Sequence, residues 1–569
     1  MQGQKKIRVS APSVAALVTL FVGVVQAAPG DEQIQHQQEQ QKARQQQLMP
    51  QAPDIRLSKP VPVPSRLVFP DETPCFTIKQ VTLSGKETLP HWVPLQRLAD
   101  RATGHCLGVQ GINQLMGTLQ NRLINHGWVT TRVLAPQQDL RAGELKLLIV
   151  AGKVRNVTLT SSSAQYASLY PTMPAHAGAL LDLRDIEQGL ENLQRLPSVE
   201  AHMTLRPGAK AGESDIIIER KQQRFWRLGF WLDDSGTENT GRYQSGVMLA
   251  LDNPTSLSDL LYFTASRDLR FAGRKSSKNL SGHYSVPFGY WQFGITASDY
   301  DYHQTVAGYN NLDVLYAGKS RLLDLQVSRV LHRNATSKTT ASYDVLVKAS
   351  QNFINNTEIA SQQRRTSAWR LGLTHRHYLG PATLDAGVSY QRGTRWFGAL
   401  PAWEESYEDD TWATALSKIL TWQAALTTPF SLGNQNFSYN IQYRRQMSNT
   451  PLTPQDEFAI GNRWTVRGFD GERTLSASRG WTLQNTLAWQ TPVPAQEFYL
   501  GADYGEVGGN RATQGGLPGG HLAGGVAGLR GGIAPANISY DFFAGIPLSK
   551  PEGFKTNPVT YGFSLNWNY

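Results

Sequence analysis

Polar and apolar positions alternate without a break from Val559 to Tyr569. Val559, Tyr561, Phe563, Leu565, Trp567 and Tyr569 are apolar or aromatic, whereas Thr560, Gly562, Ser564, Asn566 and Asn568 are small or polar. A period of two sends the two sets to opposite faces of a β-strand. A tilted strand needs about 9–11 residues to cross a bilayer. An aromatic outer face, a small polar inner face and a terminal aromatic residue predict the closing strand of a transmembrane β-barrel. The competing expectation is an edge strand of a soluble sandwich. That would leave these large apolar groups in water.

The same rhythm fills the chain from Arg224 onward. One face carries Trp226, Leu228, Phe230 and Leu232, then Tyr243, Val247, Leu249 and Leu251, then Trp291, Phe293 and Ile295. Turns are expected at Asp234-Ser235-Gly236 and Asp252-Asn253-Pro254. Hairpins over residues 223–569, with short turns alternating with longer loops, predict roughly 16 strands. No blade-length repeat supports a soluble propeller. Beyond the N-terminal leader no run of about 18 apolar residues exists, so a membrane span here requires a barrel.

Two α/β units precede the barrel, at 73–151 and 152–222. In the first, strands are expected at Phe76 to Leu83, Val129 to Leu134 and Leu145 to Val150. Its helix carries Ile112, Leu115, Met116, Leu119 and Leu123 on one face and ends at His126-Gly127. In the second, strands are expected at Val154 to Leu159, Val199 to Leu205 and Asp215 to Arg220. Asp182 caps a helix whose apolar face is Ile186, Leu190, Leu193 and Leu196, stopped by Pro197. Each unit can bury a small core. Residues 28–49 differ in kind: they are Gln-rich, helix-favouring and almost without an apolar stripe, with Asp31 as the expected cap. Such a helix is either unfolded or housed in a polar, water-filled space. Residues 50–72 hold Pro50, Pro53, Pro60, Pro62, Pro64 and Pro70 and read as a stiff extended linker. At the N-terminus Lys5, Lys6 and Arg8 precede the apolar run Val14 to Val25 and the small-residue site Val25-Gln26-Ala27. Residues 1–27 read as a cleaved signal peptide.

Charge and chemistry add mostly exclusions. The formal net charge is +10 at pH 7, spread along the chain without a dense basic tract, so no nucleic-acid partner is expected. Cys75 and Cys106 are the only cysteines, and in an exported chain they read as a disulfide. Gly273-Arg274-Lys275-Ser276 lacks the glycines of a phosphate loop, and no GxSxG elbow is present, so neither an enzyme nor a cofactor is expected. His375 and His377 share a strand face, but no third metal ligand accompanies them. Glu404, Glu405, Glu408, Asp409 and Asp410 beside Trp403 and Trp412 read as a solvated extracellular loop, with a cation site as the less favoured reading. The Gly-rich stretch Gly501 to Gly532 reads as flexible loop joined to barrel strands.

Short motifs make the chain resemble a known family. Leu232-Asp233-Asp234-Ser235-Gly236, Thr240-Gly241-Arg242-Tyr243, Leu251-Asp252-Asn253-Pro254 and Tyr284-Ser285-Val286-Pro287-Phe288-Gly289 resemble the barrel signatures of two-partner secretion transporters. These form the TpsB branch of the Omp85, or POTRA-barrel, superfamily, which also contains the barrel-assembly insertases. Val466-Arg467-Gly468-Phe469 resembles the superfamily's loop-6 motif, and Gly501-Ala502-Asp503 its barrel-wall partner motif. The N-terminal region and the cysteine pair resemble the haemolysin and contact-dependent-growth-inhibition side of the family.

The resemblance implies a transmembrane β-barrel of about 16 antiparallel strands, two periplasmic α/β POTRA domains and an N-terminal plug helix, held in the bacterial outer membrane. It implies export of a large unfolded exoprotein, whose N-terminal secretion domain meets POTRA strand edges, by β-augmentation, or helix–strand grooves. Outer-membrane lipid and, during biogenesis, the barrel-assembly machinery are the other implied partners. Arg467 on an infolded loop needs a carboxylate, with Asp503 the first choice and Asp470 the local alternative. A barrel-assembly insertase is the alternative function. Two POTRA units behind a helix and a Pro-rich linker favour export.

Overall fold

Backbone pairing in the C-terminal part of the chain never reaches a free edge. It runs antiparallel from Trp226–Asp233 through successive neighbours to Thr560–Asn568, which returns to Trp226–Asp233 and closes the barrel. The computed structural model describes residues 29–48, 54–59, 61–64, 67–163, 166–269, 275–307, 313–406, 412–509 and 520–569. Among them, 16 long strands make the circuit, and the two-residue strand Thr357–Glu358 merely extends one hairpin. The expected signal peptide lies outside the described residues.

Face assignment follows the alternation. Trp226, Leu228, Phe230, Val247, Leu249, Phe293 and Ile295 stand exposed on the outer wall, where hydrocarbon would cover them. In the closing strand Tyr561 and Trp567 are exposed, while Asn566 turns inward and accepts a hydrogen bond from Arg44 at 3.2 Å. Closure is the shortest junction between long strands: Ser564 to Asn568 pair with Asp233 to Gly229, whereas Trp291–Ala307 pairs with its neighbour along its full 17 residues. Tyr569 lengthens the seam by exchanging backbone hydrogen bonds with Leu228.

Each periplasmic unit packs a helix on a three-stranded sheet. In the first, Gln80–Ser84 and Arg132–Leu134 flank Glu144–Val150, and helix Val109–Asn125 buries Leu115, Leu119 and Leu123 against Leu145 and Leu147. Gly127, at φ +101°, ends that helix in the left-handed region. The expected strand from Val129 shortens to Arg132–Leu134, because Val129 and Thr131 bond back to Gly127 and Trp128 in the turn. The expected strand Phe76 to Leu83 is split. Phe76–Thr77 pairs with Cys106–Leu107, while Gln80–Ser84 joins the sheet. Cys75 and Cys106 are bonded across this small sheet, 31 residues apart.

In the second unit Lys153–Leu159 and Val199–Pro207 flank Glu213–Gln222. The helix is Leu183–Gln194, capped by the Asp182 carboxylate, which accepts from the Arg184 N–H at 2.8 Å. Helices Leu95–Ala99 and Leu169–Thr172 are too short to show a period, and the sequence pattern misses them. The Gln-rich helix spans Pro29–Leu48. Asp31 is therefore within its first turn and is not the cap, because proline's fixed φ suits the opening position.

The described residues of the Pro-rich segment form neither helix nor sheet, but they are no free spacer. Its Ile55 and Leu57 N–H groups donate to Glu191 and Glu187, Val61 N–H donates to Asn125, and Glu72 accepts three backbone N–H groups at the start of helix Val109–Asn125. The helices of both units thus hold it.

Two expectations follow. Unreduced protein should contain no alkylatable thiol, and Cys75→Ser with Cys106→Ser should cost the first unit about 3.5 kcal/mol in chemical denaturation, the loop-closure value for this separation. Burial pushes the Asp182 carboxyl up to about 6. The folded unit then holds this proton more tightly than the unfolded chain. Its contribution favours folding fully below the ordinary carboxylate range and is lost as pH rises through about 6. Asp182→Asn keeps a cap acceptor and should flatten that dependence in hydrogen exchange of residues 183–194, corrected for intrinsic rates.

Candidate translocation site in the barrel lumen

The Gln-rich helix lies inside the barrel. Gln33 donates to the Tyr300 hydroxyl at 3.0 Å, Gln35 to the Glu457 carbonyl at 2.6 Å and Gln40 to the Ser235 hydroxyl at 2.5 Å. Each amide both donates and accepts, so a helix of glutamines can answer a wall of mixed polarity on every side. Ile34 is an apolar anchor, fully buried against Tyr300, Tyr302 and Tyr316. Arg44 makes an ion pair with Asp233 and lies 4.6 Å from the Trp231 ring centroid. A cavity of about 780 Å³ remains beside the helix, walled by Lys42, Arg376, Arg444, Arg463 and Arg530 among others. Guanidinium and amide groups in this lining are interspersed with carboxylates, among them Glu39, Asp233, Asp385 and Asp541.

The loop between strands Gln435–Ser448 and Arg479–Gln490 folds back into the barrel through a hairpin of Phe458–Ile460 and Leu475–Ala477. Val466 and Phe469 are buried there with Ile460, Val507, Leu522 and Phe554. Between them Arg467 is pressed on the wall. Its Nε and Nη2 donate to the two Asp503 oxygens, both at 2.7 Å, and its backbone N–H donates to the same carboxylate at 2.9 Å. Nη2 also donates to the Asn485 carbonyl and the Thr486 hydroxyl at 3.0 Å. The Asp503 side chain is 0% exposed and that of Arg467 16%. Asp470, the local alternative, instead accepts the backbone N–H groups of Glu472 and Asn557.

Backbone room makes this approach work. Gly468 sits at φ +103°, and a Cβ there would lie 2.4 Å from the Ile546 carbonyl oxygen. A Cβ at Gly524 would lie 1.8 Å from the Arg467 carbonyl oxygen, and one at Gly501 would lie 2.7 Å from its Nη2. Part of the Gly-rich stretch read as loop is therefore wall: strands Gln496–Gly508 and His521–Ile533 lie side by side, with Asp503 opposite Gly524. Residues 510–519 lie outside the described residues. Gly524, Asn485 and Thr486 escaped the sequence reading, because only strand register brings them together.

A second junction also escaped it. Arg463 of the infolded loop donates to Asp234 at 2.7 Å, and Asp234 accepts the Phe563 N–H of the closing strand at 2.9 Å. Adjacent carboxylates at the end of the first barrel strand, Asp233 and Asp234, thus hold the helix and the loop respectively. On the periplasmic side, Arg333 ends its strand between Glu187 and Glu191 of the second unit's helix and the Ile55 carbonyl of the linker. Asp54 pairs with Arg376 at 2.6 Å. Tyr290 donates to Asp185 at 2.5 Å; burial raises the pKa of that carboxyl, and this hydrogen bond opposes the rise.

The remaining candidates are placed as follows. His375 and His377 stack with centroids 5.7 Å apart, and His375 Nδ1 meets the Thr339 hydroxyl at 2.8 Å. Among the described residues no group of three metal-ligating side chains occurs. Glu404 pairs with Arg364 and Glu405 with Arg395, while residues 407–411 lie outside the described residues.

Comparison with known proteins agrees with this architecture. Residues 212–531 match the family of haemolysin secretion/activation proteins ShlB/FhaC/HecB; residues 76–152 match the ShlB-type POTRA domain and residues 153–207 a further POTRA domain. The chain is 34% identical to outer membrane transporter CdiB-2 of Burkholderia pseudomallei over 97% of this chain and 98% of that one. The structure of CdiB from Acinetobacter baumannii superposes with a TM-score of 0.81 at 30% identity, covering 95% of this chain and 98% of the other. CdiB from Escherichia coli, at 23% identity, shares the fold with a TM-score of 0.85, covering 95% and 99%. These matches favour the exporters over the insertases. The chain belongs to the ShlB/FhaC/HecB family and is a two-partner secretion transporter of the outer membrane, with two periplasmic POTRA domains beneath a closed barrel.

Proposed function

We propose that this transporter exports one large exoprotein of the kind carried by contact-dependent growth inhibition systems, and that the lumenal helix is a plug that leaves before the cargo enters. The plug's surface carries this reading. Over 20 residues it presents almost only polar groups, which water can satisfy as well as the lumen does. Leaving therefore costs little desolvation. An apolar plug would be insoluble once released. The linker keeps the released helix tethered, and the grip of Glu187 and Glu191 on its Ile55 and Leu57 keeps the tether on the second POTRA domain. The partner's N-terminal secretion domain docks on the POTRA strand edges. Its chain then passes extended along the guanidinium-lined wall and folds outside. Folding at the surface supplies the drive, without nucleotide hydrolysis.

Arg467 and Asp503 act as the clasp that fixes the infolded loop against the wall during passage. Removing one member of a buried ion pair costs about 3–5 kcal/mol. Arg467→Ala should nearly abolish secretion of the partner exoprotein while the barrel still reaches the outer membrane. Asp503→Ala should match it, and the double variant should be no worse than either single, because all three report one interaction. Secretion normalised to outer-membrane barrel content measures this. Near-normal export by Arg467→Ala would remove the loop from the mechanism, and strictly additive losses would assign Arg467 another partner. For the plug, deletion of residues 31–49 should raise single-channel conductance in planar bilayers with secretion largely kept. Unchanged conductance would mean that the helix does not obstruct the pore.

A further inference from the structure

The second POTRA domain touches the barrel at more than its helix. The segment from Tyr166 to Pro171 lies along the barrel's periplasmic rim. Ser168 N–H donates to the Ser256 carbonyl at 3.0 Å, the Asn253 side-chain amide donates to the Tyr166 carbonyl at 2.6 Å, and Gly289 N–H donates to the Pro171 carbonyl at 2.6 Å. Three hydrogen bonds to two separate periplasmic turns fix its height against the wall. Leu169 packs on the domain's own core and Pro171 is buried, which leaves Tyr166 and Tyr170 as the side chains that face outward. The Tyr170 ring meets Phe288 edge-on with centroids 6.1 Å apart, and the Tyr166 ring meets Phe225 at 5.2 Å.

Phe288 shows which side of the wall this is. In strand Ser276–Phe288 the odd positions point inward: His283 is buried beneath Tyr262, and Ser285 accepts from Arg195. Phe288 is on the other face, with Leu280, and pairs across the hairpin with Trp291, which begins the exposed row Trp291, Phe293 and Ile295. That row is the lipid-facing surface. Tyr170, 84% exposed, continues it below the last barrel residue, and Tyr166 at 46% and Phe225 at 43% flank it.

We infer that the Tyr166–Pro171 segment of the second POTRA domain is a membrane-interface contact, with Tyr170 seated in the phospholipid headgroup region of the periplasmic leaflet. The chemistry fits that occupant. An amphipathic ring places its apolar body toward the acyl boundary and its hydroxyl among headgroups, as tyrosines of aromatic girdles do. The patch is continuous with the apolar band of the barrel, so a bilayer that covers Phe288 and Trp291 reaches Tyr170 with little further depth. The contact would set the tilt and height of the second POTRA domain relative to the membrane, and with them the position of the linker it grips.

The described chain has no free cysteine, which permits single-site labelling of the full-length protein. Tyr170→Cys and Tyr166→Cys, each carrying a nitroxide, are reconstituted in vesicles of palmitoyl-oleoyl phosphatidylethanolamine and phosphatidylglycerol. Power saturation then compares access of oxygen and of a water-soluble nickel chelate. Leu249→Cys on the outer wall and Val109→Cys on the first POTRA domain's helix give the lipid and water references. The Tyr170 label should be several-fold less accessible to the chelate than the Val109 label and should gain oxygen access toward the Leu249 value. Chelate access equal to that at Val109, at both labelled tyrosine positions, would overturn the assignment. So would protection that appears only when a partner's secretion domain is added, since the patch would then be a protein-docking surface.

Discussion

Hydrocarbon offers no partner to a backbone N–H or C=O, so a sheet that crosses it must bond to itself all the way round. That constraint generates the other features of this chain. Closing 16 strands leaves a lumen too wide for wall side chains to fill. The lumen must then be occupied at rest by something polar, and the occupants are the Gln-rich helix and the infolded loop. Both are tied to the end of the first barrel strand, the partner of the closing strand, through Arg44 on Asp233 and Arg463 on Asp234. The shortest junction of the barrel is therefore also the one to which both lumenal occupants are fastened.

Burial decides which of the many ion pairs matter. Lys221 and Glu219 sit 2.9 Å apart with side chains 69% and 46% exposed, and a pair so hydrated adds little to stability. Arg467 and Asp503 are at 2.7 Å with Asp503 wholly buried, and their value lies in what happens when one is lost. Arg333 with Glu187 and Glu191 is buried in the same way where linker, second POTRA domain and barrel meet. Buried charge holds the loop clasp and the linker junction, and the helix meets the wall through glutamine amides together with the Arg44–Asp233 pair, whose side chains are 16% and 3% exposed.

Much of this was legible in the sequence because membrane strands have a two-residue period that survives any tertiary context. The closing strand, the strand-turn rhythm from Trp226 and the capped helix after Asp182 all follow local rules. Arg467 and Asp503 were named together through the family resemblance; no spacing rule joins residues 36 apart in sequence. What stayed hidden depended on register or on brevity. Gly524 faces Asp503 only because two strands pair, and Arg333 meets Glu191 only because a periplasmic domain docks under the wall. The linker's prolines predict a stiff, extended segment, and its N–H groups find carboxylates on a helix more than a hundred residues downstream. Composition predicts stiffness; it does not reveal what a stiff segment lies against.

On the proposed mechanism the plug must vacate the lumen for transport. Gln40 and Ser235 touch across the gap between helix and wall, so cysteines at these two positions can be joined by a short, reducible thiol-to-thiol crosslinker. Secretion of the partner exoprotein is then measured before and after reduction, with each single-cysteine variant treated identically. The account predicts that secretion is lost in proportion to crosslinked protein and returns on reduction only in the double variant. Undiminished secretion from fully crosslinked transporter would contradict it.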